Sequence, residues 1–443
     1  MKKKDTVLHQ ARAAREAAIM LGTFSTAIKN RALREIARAM LIQKARIFDA
    51  NKKDVSIADR TGIAKPLLKR LLLTESKFNE MVQGIRDLVK LPDPVGNTLY
   101  AMQLDTGLEL YRVTCPIGVL GAVFESRPDA LVQISCLCLK SGNAVLLKGG
   151  SEAAHSNKIL VEVITCTIEK VSPEFEHAIQ LMATREDVRE LLSLDEYVHL
   201  LVPRGSNAFV RYIKKHTTIP VLGHADGICH VYVDQDADIS KAVTICYDAK
   251  CQYPAVCNAM ETLLVHEKIA KSFLPVIARE YVNAGVELRG CSKTRLILKN
   301  VKKASEKDWQ TEYLDLILSI KVVKSIEEAV EHINKYGSHH TDAIVTENKK
   351  AGTYFIQNVD SASVMSNCST RFADGFRYGL GAEVGISTNR IHARGPVGLE
   401  GLVTYNYRLI GNGQVVASYT GSNARPFLHK PLNKQWKVQE KTQ

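Results

Sequence analysis

No stretch of the sequence approaches the ~18 uninterrupted apolar residues that a membrane-spanning helix needs. The opening segment MKKKDTVLHQARAAREAAIM is basic but has no signal-peptide apolar core, and Asp5 and Glu16 oppose a transit peptide. The cysteine and histidine spacing of zinc fingers is absent, as is the aromatic motif of RNA-binding domains. There is no internal repeat and no low-complexity tract. Ten cysteines in a chain of 443 residues do not make a secreted disulfide framework. Together these absences point to a reducing cytosol with free thiols, so the expected location is cytoplasmic.

What is present suits a globular protein, with 45% hydrophobic and 24% charged residues. The length exceeds what one hydrophobic core normally serves, so two domains are expected. The net charge is +12. Lysines and arginines are spread along the chain rather than clustered, which favours anionic metabolites over nucleic acid as partners. Only MKKKD and HKPLNKQWKVQEKTQ are dense in charge, and both read as solvated tails.

Residues 5–90 read as helices. In AIKNRALREIARAMLIQKARIFDANKKD the periodicity puts Ala27, Leu33, Ile36, Ala37, Met40, Leu41 and Ile47 on one face. Pro66 and Thr74 look like starts of further helices. Between residues 99 and 116 two alternating runs flank Asp105-Thr106-Gly107, a hairpin turn. From Ile117 to CHVYVD, strands and helices alternate as βαβ units of a buried parallel sheet. A second α/β series begins near Asp234 and runs to SASVMS. Residues 367–401 are irregular and rich in Gly, Arg and Ser. VTYNYRLIGNGQVVASY reads as a second hairpin turning at Gly411-Asn412-Gly413.

Chemistry is best sought at CQYPAVCNAMETLLVH. Cys136 and Cys138 sit inside an apolar periodic pattern, as packing cysteines do, and Cys251 reads as packing at a helix end. Cys257 instead follows Pro254 in a loop, just before a strand. A nucleophile needs such a place, exposed to substrate yet held by a rigid element. Spacing alone leaves a catalytic thiol and an ordinary loop thiol both open. Cys246, Cys251 and Cys257 lack the paired spacing of zinc sites, and His339, His340 and His392 are remote in sequence, so no metal is expected. GLGAEVG has the wrong spacing and context for a dinucleotide fingerprint. In LVPRGSNAFV, Arg204, Gly205 and Ser206 join a strand to a helix, suiting either a pyrophosphate at the helix start or a plain cap by Ser206. Lys148 ends a strand, aimed at the crevice where such sheets bind ligands.

Several long blocks carry a resemblance. PAVCNAMETLLVH, FESRPDALVQ, SGNAVLLKGGSEAAHSN, PRGS, GICHVYVD, NCSTRFADGFRYGLGAEVGIST and IHARGPVGLEGL together resemble the gamma-glutamyl phosphate reductase (glutamate-5-semialdehyde dehydrogenase) family of the aldehyde dehydrogenase superfamily. The wording is most similar to the reductase half of the fused eukaryotic pyrroline-5-carboxylate synthase. The likeness spans residues 5–415. It implies an aldehyde dehydrogenase-like α/β fold with parallel sheets. A NADP(H)-binding domain would span 1–233, with hairpin 99–116 belonging to an oligomerisation flap. A catalytic domain would span 234–402, oligomerisation strands 403–418 and a tail 419–443.

The resemblance also implies the reaction. L-Glutamyl 5-phosphate would acylate Cys257 with loss of phosphate, and hydride from NADPH would reduce the thioester to L-glutamate 5-semialdehyde, the second step of proline biosynthesis from glutamate. Hydrolytic relatives carry a water-activating glutamate before a Gly-Gly pair. Here the stretch VLGHADGICHVYVD offers Gly223 and His224 and no glutamate, which suits phosphate rather than water as the exchange partner. By the same likeness Lys148, Ser151 and Glu152 lie near the adenosine ribose, with Lys148 suited to a 2′-phosphate. Gly205 and Ser206 would cradle the pyrophosphate, and Glu312 would hold the nicotinamide ribose. Ser126 stands where the superfamily has an oxyanion asparagine. Arg127, Asn258, Arg371 and Glu383 are further substrate candidates, each also readable as structural. Cys368 departs from the family's alanine. A homo-oligomer is expected, and a separate glutamate 5-kinase is a candidate partner because this chain lacks the fused enzyme's kinase domain. A coenzyme-A-acylating dehydrogenase and a non-catalytic binding protein are the rivals.

Overall fold

The structure is a computed structural model that describes residues 4–224 and 226–436. Five helices come first: α1 (Lys4–Leu21), α2 (Thr26–Ile42), α3 (Lys44–Arg60), α4 (Lys65–Leu71) and α5 (Glu75–Lys90). Ser25 and Thr74 cap α2 and α5 by accepting from the N–H groups of Ile28 and Lys77. Leu33, Ile36, Ala37 and Met40 of α2 and Ile47 of α3 are buried as the periodicity predicts. Ala27 and Leu41 are exposed instead. Each four-residue step turns the helix by about 40°, which carries Leu41 off the buried stripe, and the chain breaks at Gln43 before α3.

The expected first hairpin forms from β1 (Thr98–Asp105) and β2 (Leu108–Pro116), with Gly107 at φ +73° in the turn. The first α/β series follows. It comprises β3 (Val119–Phe124), α6 (Pro128–Lys140), β4 (Ala144–Lys148), α7 (Ala154–Val171), β5 (Ile179–Leu181), α8 (Arg185–Leu191), β6 (Leu200–Arg204) and α9 (Asn207–Lys215). Its strands form a parallel sheet in the order β5-β4-β3-β6. Strands buried on both faces need continuous apolar runs, and every residue of β3 and β4 is buried. The predicted strand at 219–223 contributes only a bridge between Val221 and Leu201.

The second series is β7 (Cys229–Val233), α10 (Ile239–Cys251), β8 (Met260–His266), α11 (Glu267–Asn283), β9 (Glu287–Gly290), α12 (Ser292–Ile297), β10 (Lys302–Lys303), β11 (Ile317–Val323), α13 (Ile326–Tyr336), β12 (Thr341–Val345), α14 (Lys349–Asn358) and β13 (Ser363–Ser366). These strands make a parallel sheet of order β10-β9-β11-β8-β7-β12-β13. Two expected boundaries need correction. β7 belongs to this second sheet, so the division falls before Cys229 rather than after residue 233. The short pair β14 (Gly385–Ser387) and β15 (Gly395–Val397) leads into Leu399 and Leu402, and Val384, Val397, Leu399 and Leu402 pack into the core of the first sheet.

The second hairpin does not form. β16 (Val403–Ile410) pairs antiparallel with β2 along its whole length. After Gly413 the chain has no returning strand: Gln414 donates to the Thr106 carbonyl at 3.0 Å, and Tyr419 donates to Asp105 at 2.7 Å. These contacts pin the chain over the first hairpin's turn. The C-terminal stretch is no solvated tail as far as Trp436. β17 (Lys430–Pro431) pairs with β1, giving a sheet of order β16-β2-β1-β17, and Trp436 packs edge-on to Tyr111. Residues 437–443 lie outside the described residues.

Candidate active site

Cys257 lies in the irregular segment between α10 and β8. The two ends of that segment are tied together. Lys250, in the last turn of α10, pairs with Glu261 of β8 at 2.6 Å, and both side chains are wholly buried. Burial pushes the Glu261 carboxyl up to about 7 against the pull of Lys250. Its second oxygen accepts from the Leu314 N–H at 3.1 Å. Beneath the cysteine, the Cys229 thiol donates to the Cys257 carbonyl at 3.1 Å. Gly227 presses against the same backbone: a Cβ there would stand 2.2 Å from the Cys257 oxygen, so only glycine fits. Cys251 packs half-buried against the second core, its thiol pushed up to about 11 by burial, as its packing role predicts.

Cys257 opens on a cleft of about 970 Å³ whose lining comes from the ends of both sheets. Of the residues singled out in the sequence, Ser126, Arg127, Glu152, Gly205, Ser206, Asn258, Glu312, Arg371 and Glu383 line it beside Cys257. Lys148 and Ser151 do not. The Lys148 ammonium folds back onto the carbonyl of Gly149 and is buried, which lowers its pKa.

The cleft is rich in cations without counter-ions. Arg70, Arg127, Arg204 and Arg371 all line it, and among the described residues none of the four has a carboxylate within 4 Å. Arg371 is 8% exposed, and its Nε donates to the neutral Gln252 amide at 3.0 Å. Burial lowers the pKa of Arg127 and Arg371, and the neighbouring guanidinium of Arg204 or Arg377 adds to it. Unpaired guanidinium groups held in a concave site make a receptor for phosphate or carboxylate.

The carboxylates of the cleft already have partners. Glu152 Oε1 accepts from both the N–H and the hydroxyl of Ser126, each at 2.7 Å. That bond engages the hydroxyl proton an oxyanion donor would need, so Ser126 does not serve that role in this arrangement. Ser126 is buried at φ +45°, a backbone region that favours glycine. Glu125 accepts from the Ser206 N–H at 3.0 Å, while the Ser206 hydroxyl caps α9 by accepting from Phe209. The cap expected for Ser206 is therefore present, with a carboxylate beside the helix start. Glu312 accepts from Asn207 at 2.6 Å, and Glu383 accepts from the Gly375 N–H at 2.8 Å. Burial raises the pKa of both. Asn258 donates to the Ala373 carbonyl at 2.8 Å, leaving its Oδ1 buried without a partner.

Two residues near the cysteine escape notice in the sequence, one lining the cleft and one behind it. Arg70 comes from α4, where nothing in the local pattern marks it. His340, set aside as remote, reaches the cysteine because β12 lies beside β7, which lies beside β8. Ligand atoms of His224, Cys257 and His340 all lie within 4.8 Å of one another. Only the sheet order reveals that neighbourhood. GLGAEVG behaves as read: it is a loop leading into β14 that delivers Glu383 to the cleft.

The residues fit a dinucleotide at the first sheet. Its parallel strands end at the cleft through Glu125 and Ser126, Glu152, and Arg204 to Ser206, the edge where open α/β sheets bind ligands. Gly205 sits at the start of α9, where a Cβ would lie 2.8 Å from Glu125.

The aldehyde dehydrogenase family model matches residues 2–289. The gamma-glutamyl phosphate reductase of Pelotomaculum thermopropionicum is 55% identical over 430 residues, covering 97% of this chain and 98% of that one. Its counterpart from Methanococcoides burtonii is 55% identical over 429 residues, covering 95% and 96%. The crystal structure of gamma-glutamyl phosphate reductase from Thermotoga maritima superposes with a TM-score of 0.89 at 44% identity, covering 92% of this chain and 99% of that one.

Proposed function

The chain belongs to the aldehyde dehydrogenase family and, within it, to the gamma-glutamyl phosphate reductases, and from this we propose that it works through Cys257 on an acyl phosphate held by arginines. It is an oxidoreductase of proline biosynthesis that reduces L-glutamyl 5-phosphate to L-glutamate 5-semialdehyde with release of phosphate. The observation that carries the site reading is a half-buried cysteine in a cleft lined by four arginines without ion pairs.

The substrate brings a phosphate and an α-carboxylate, and Arg127 and Arg371 are the candidates to hold them, with Arg70 and Arg204 nearby. Cys257 attacks the acyl carbon as thiolate, in a cleft that Arg127 and Arg371 also line. The C–O bond to phosphate breaks and a thioester remains on Cys257. A nicotinamide cofactor, when bound, supplies the hydride. The chain then releases the aldehyde as the sulfur leaves as thiolate. The stretch before β7 brings His224 to the sulfur and holds no glutamate of the kind by which hydrolytic relatives activate water, which supports phosphate over water as the partner in exchange. Asn258 Oδ1 and Glu383 are the candidates for the substrate ammonium.

The finer reading of the cofactor is NADP(H), held by Gly205, Ser206 and Glu312, with Lys148 swinging out to a 2′-phosphate and Ser151 and Glu152 beside the ribose. The protein is read as a cytoplasmic homo-oligomer, with glutamate 5-kinase as a candidate partner. No helix among the described residues is long and apolar enough to cross a membrane. Support for self-association is the free outer edge of β16, where Tyr405, Tyr407, Leu409 and Ile410 are exposed. Such an edge invites a strand from another copy.

The test runs the reaction in reverse, because the forward substrate is labile. Glutamate 5-semialdehyde, phosphate and NADP+ are supplied, and NADPH absorbance is followed for the wild type and Cys257→Ser. Phosphate-dependent NADPH formation that disappears in the variant is expected. Turnover without phosphate would replace this reading with a hydrolytic dehydrogenase.

A further inference from the structure

We propose that His224, Cys257 and His340 form a binding site for one thiophilic divalent cation, typified by zinc, whose occupancy silences the nucleophile. The three residues lie at the N-terminal ends of three adjacent parallel strands. His224 precedes β7, Cys257 precedes β8 and His340 directly precedes β12, and these strands are neighbours in the order β8-β7-β12. One ligand atom from each lies within 4.8 Å of the other two. A tetrahedral zinc, at ~2.3 Å from sulfur and ~2.0 Å from nitrogen, separates its ligands by about 3.3–3.6 Å. Side-chain movements of about an ångström therefore close the set.

The ring nitrogens are already arranged for this. His224 Nδ1 lies 2.9 Å from the carbonyl of Ile386, so it carries the proton and leaves the Nε2 lone pair free. His340 Nδ1 lies 2.8 Å from the Thr341 hydroxyl and 3.8 Å from the Cys229 sulfur, while its Nε2 is buried with no partner; with the proton on Nδ1, Nε2 offers a lone pair. Outer hydrogen bonds that fix one nitrogen and free the other are how histidine metal ligands are oriented. The two rings pack edge to face, with centroids 4.7 Å apart. A buried nitrogen without a partner, a thiol and a second imidazole around one point make a soft ligand set, unsuited to magnesium.

Binding breaks the S–H bond of Cys257, forms a metal–sulfur bond and releases the proton to solvent, with no change of oxidation state. The sulfur lone pair is then committed to the metal and unavailable to an acyl carbon. The fourth ligand position faces the cleft and is left to water.

Cobalt(II) titration of the metal-stripped full chain tests this without using the reductase assay, so it stands whether or not the proposed reaction does. One equivalent should produce tetrahedral d–d bands with a sulfur-to-cobalt charge-transfer band, both displaced by zinc and unaffected by magnesium. Cys257→Ser should abolish the charge-transfer band. His224→Gln and His340→Gln should each weaken binding by at least about tenfold. A band that survives in Cys257→Ser would assign the metal to another thiol, such as the exposed Cys166, and overturn the proposal. Unchanged affinity in both histidine variants would do so too. Should His340→Gln not fold, alkylation of wild-type Cys257 by iodoacetamide decides the matter by peptide mass spectrometry. Zinc should slow it at least tenfold and a chelator should restore it; no protection would end the proposal.

Discussion

Both walls of the cleft carry unpaired arginines, but they treat their other polar groups in opposite ways. On the wall built from the first sheet, Glu152 is satisfied by Ser126 and Glu125 by the Ser206 N–H, while Arg127 and Arg204 stand without a carboxylate as Arg371 does opposite. On the wall around Cys257, Asn258 Oδ1 and His340 Nε2 are buried without partners, and Arg371 has a neutral amide for company and no carboxylate. An unmade hydrogen bond at a buried polar group costs about 1–3 kcal/mol. The Cys257 wall therefore carries strain that a ligand relieves, whereas the first wall must exchange internal bonds for ligand bonds. Substitutions should weaken binding at the second wall, and removing an internal partner should strengthen it at the first.

The largest expected effect concerns what keeps the Cys257 wall rigid. Lys250 and Glu261 close the segment that carries the cysteine, and neither is exposed. Lys250→Met strands a buried carboxyl, and breaking such a pair costs about 3–5 kcal/mol. Thermal unfolding should show a large fall in Tm, and the double variant Lys250→Met with Glu261→Leu should recover most of it. A single variant that unfolds within a degree of the wild type would mean that something other than this pair anchors the segment.

Arg371→Met separates waiting for a ligand from holding the fold. Its guanidinium is repelled by Arg377 and has no acidic partner, so Tm should stay level or rise slightly. Loss of a charge-assisted hydrogen bond to substrate is worth about 1.5–3 kcal/mol, so KM for phosphate or semialdehyde in the reverse assay should rise roughly 10–100-fold. The opposite pattern, an unchanged KM with a lower Tm, would make Arg371 a structural residue and erase the contrast between the walls.

How far these walls were legible in the sequence depends on how local each signal is. The strand-and-helix alternation of residues 117–366, the caps Thr74 and Ser206, and the Asp105-Thr106-Gly107 turn are set by neighbours a few residues apart, and they appear apart from residues 219–223, which give only a bridge, and the unexpected β9, α12 and β10. The loop placement of Cys257 is local too, and the long family blocks added the residues around it. Hairpin 403–418 does not form because the residues after Gly413 turn away from the outer edge of β16 and fasten over the first hairpin's turn through Gln414 and Tyr419. Leu41 is exposed because each four-residue step from Leu33 and Ala37 drifts by about 40°, a rotation that a short apolar pattern does not reveal. His340 stands 83 positions after Cys257 in the sequence, a distance that strand order cancels. Ser126 shows a different limit. Its position at the cleft was readable, but its commitment to Glu152 was not, since a serine hydroxyl looks equally free in any sequence.

The smallest effect tests the self-satisfied wall most directly. Glu125 holds a negative charge against the start of α9, where an anionic dinucleotide would seek the same N–H groups. A charge near a helix terminus is worth about 0.3–1 kcal/mol. Glu125→Gln keeps an oxygen for the Ser206 N–H and removes only the charge. Fluorescence titration should therefore show NADPH binding tightened by roughly two- to fivefold, with the alkylation rate of Cys257 unchanged. Tighter binding with an unaltered thiol would establish that the walls act independently and that the first one restrains its own ligand. Weaker binding would make Glu125 a partner of the dinucleotide instead, so that both walls would belong to the same ligand-seeking kind.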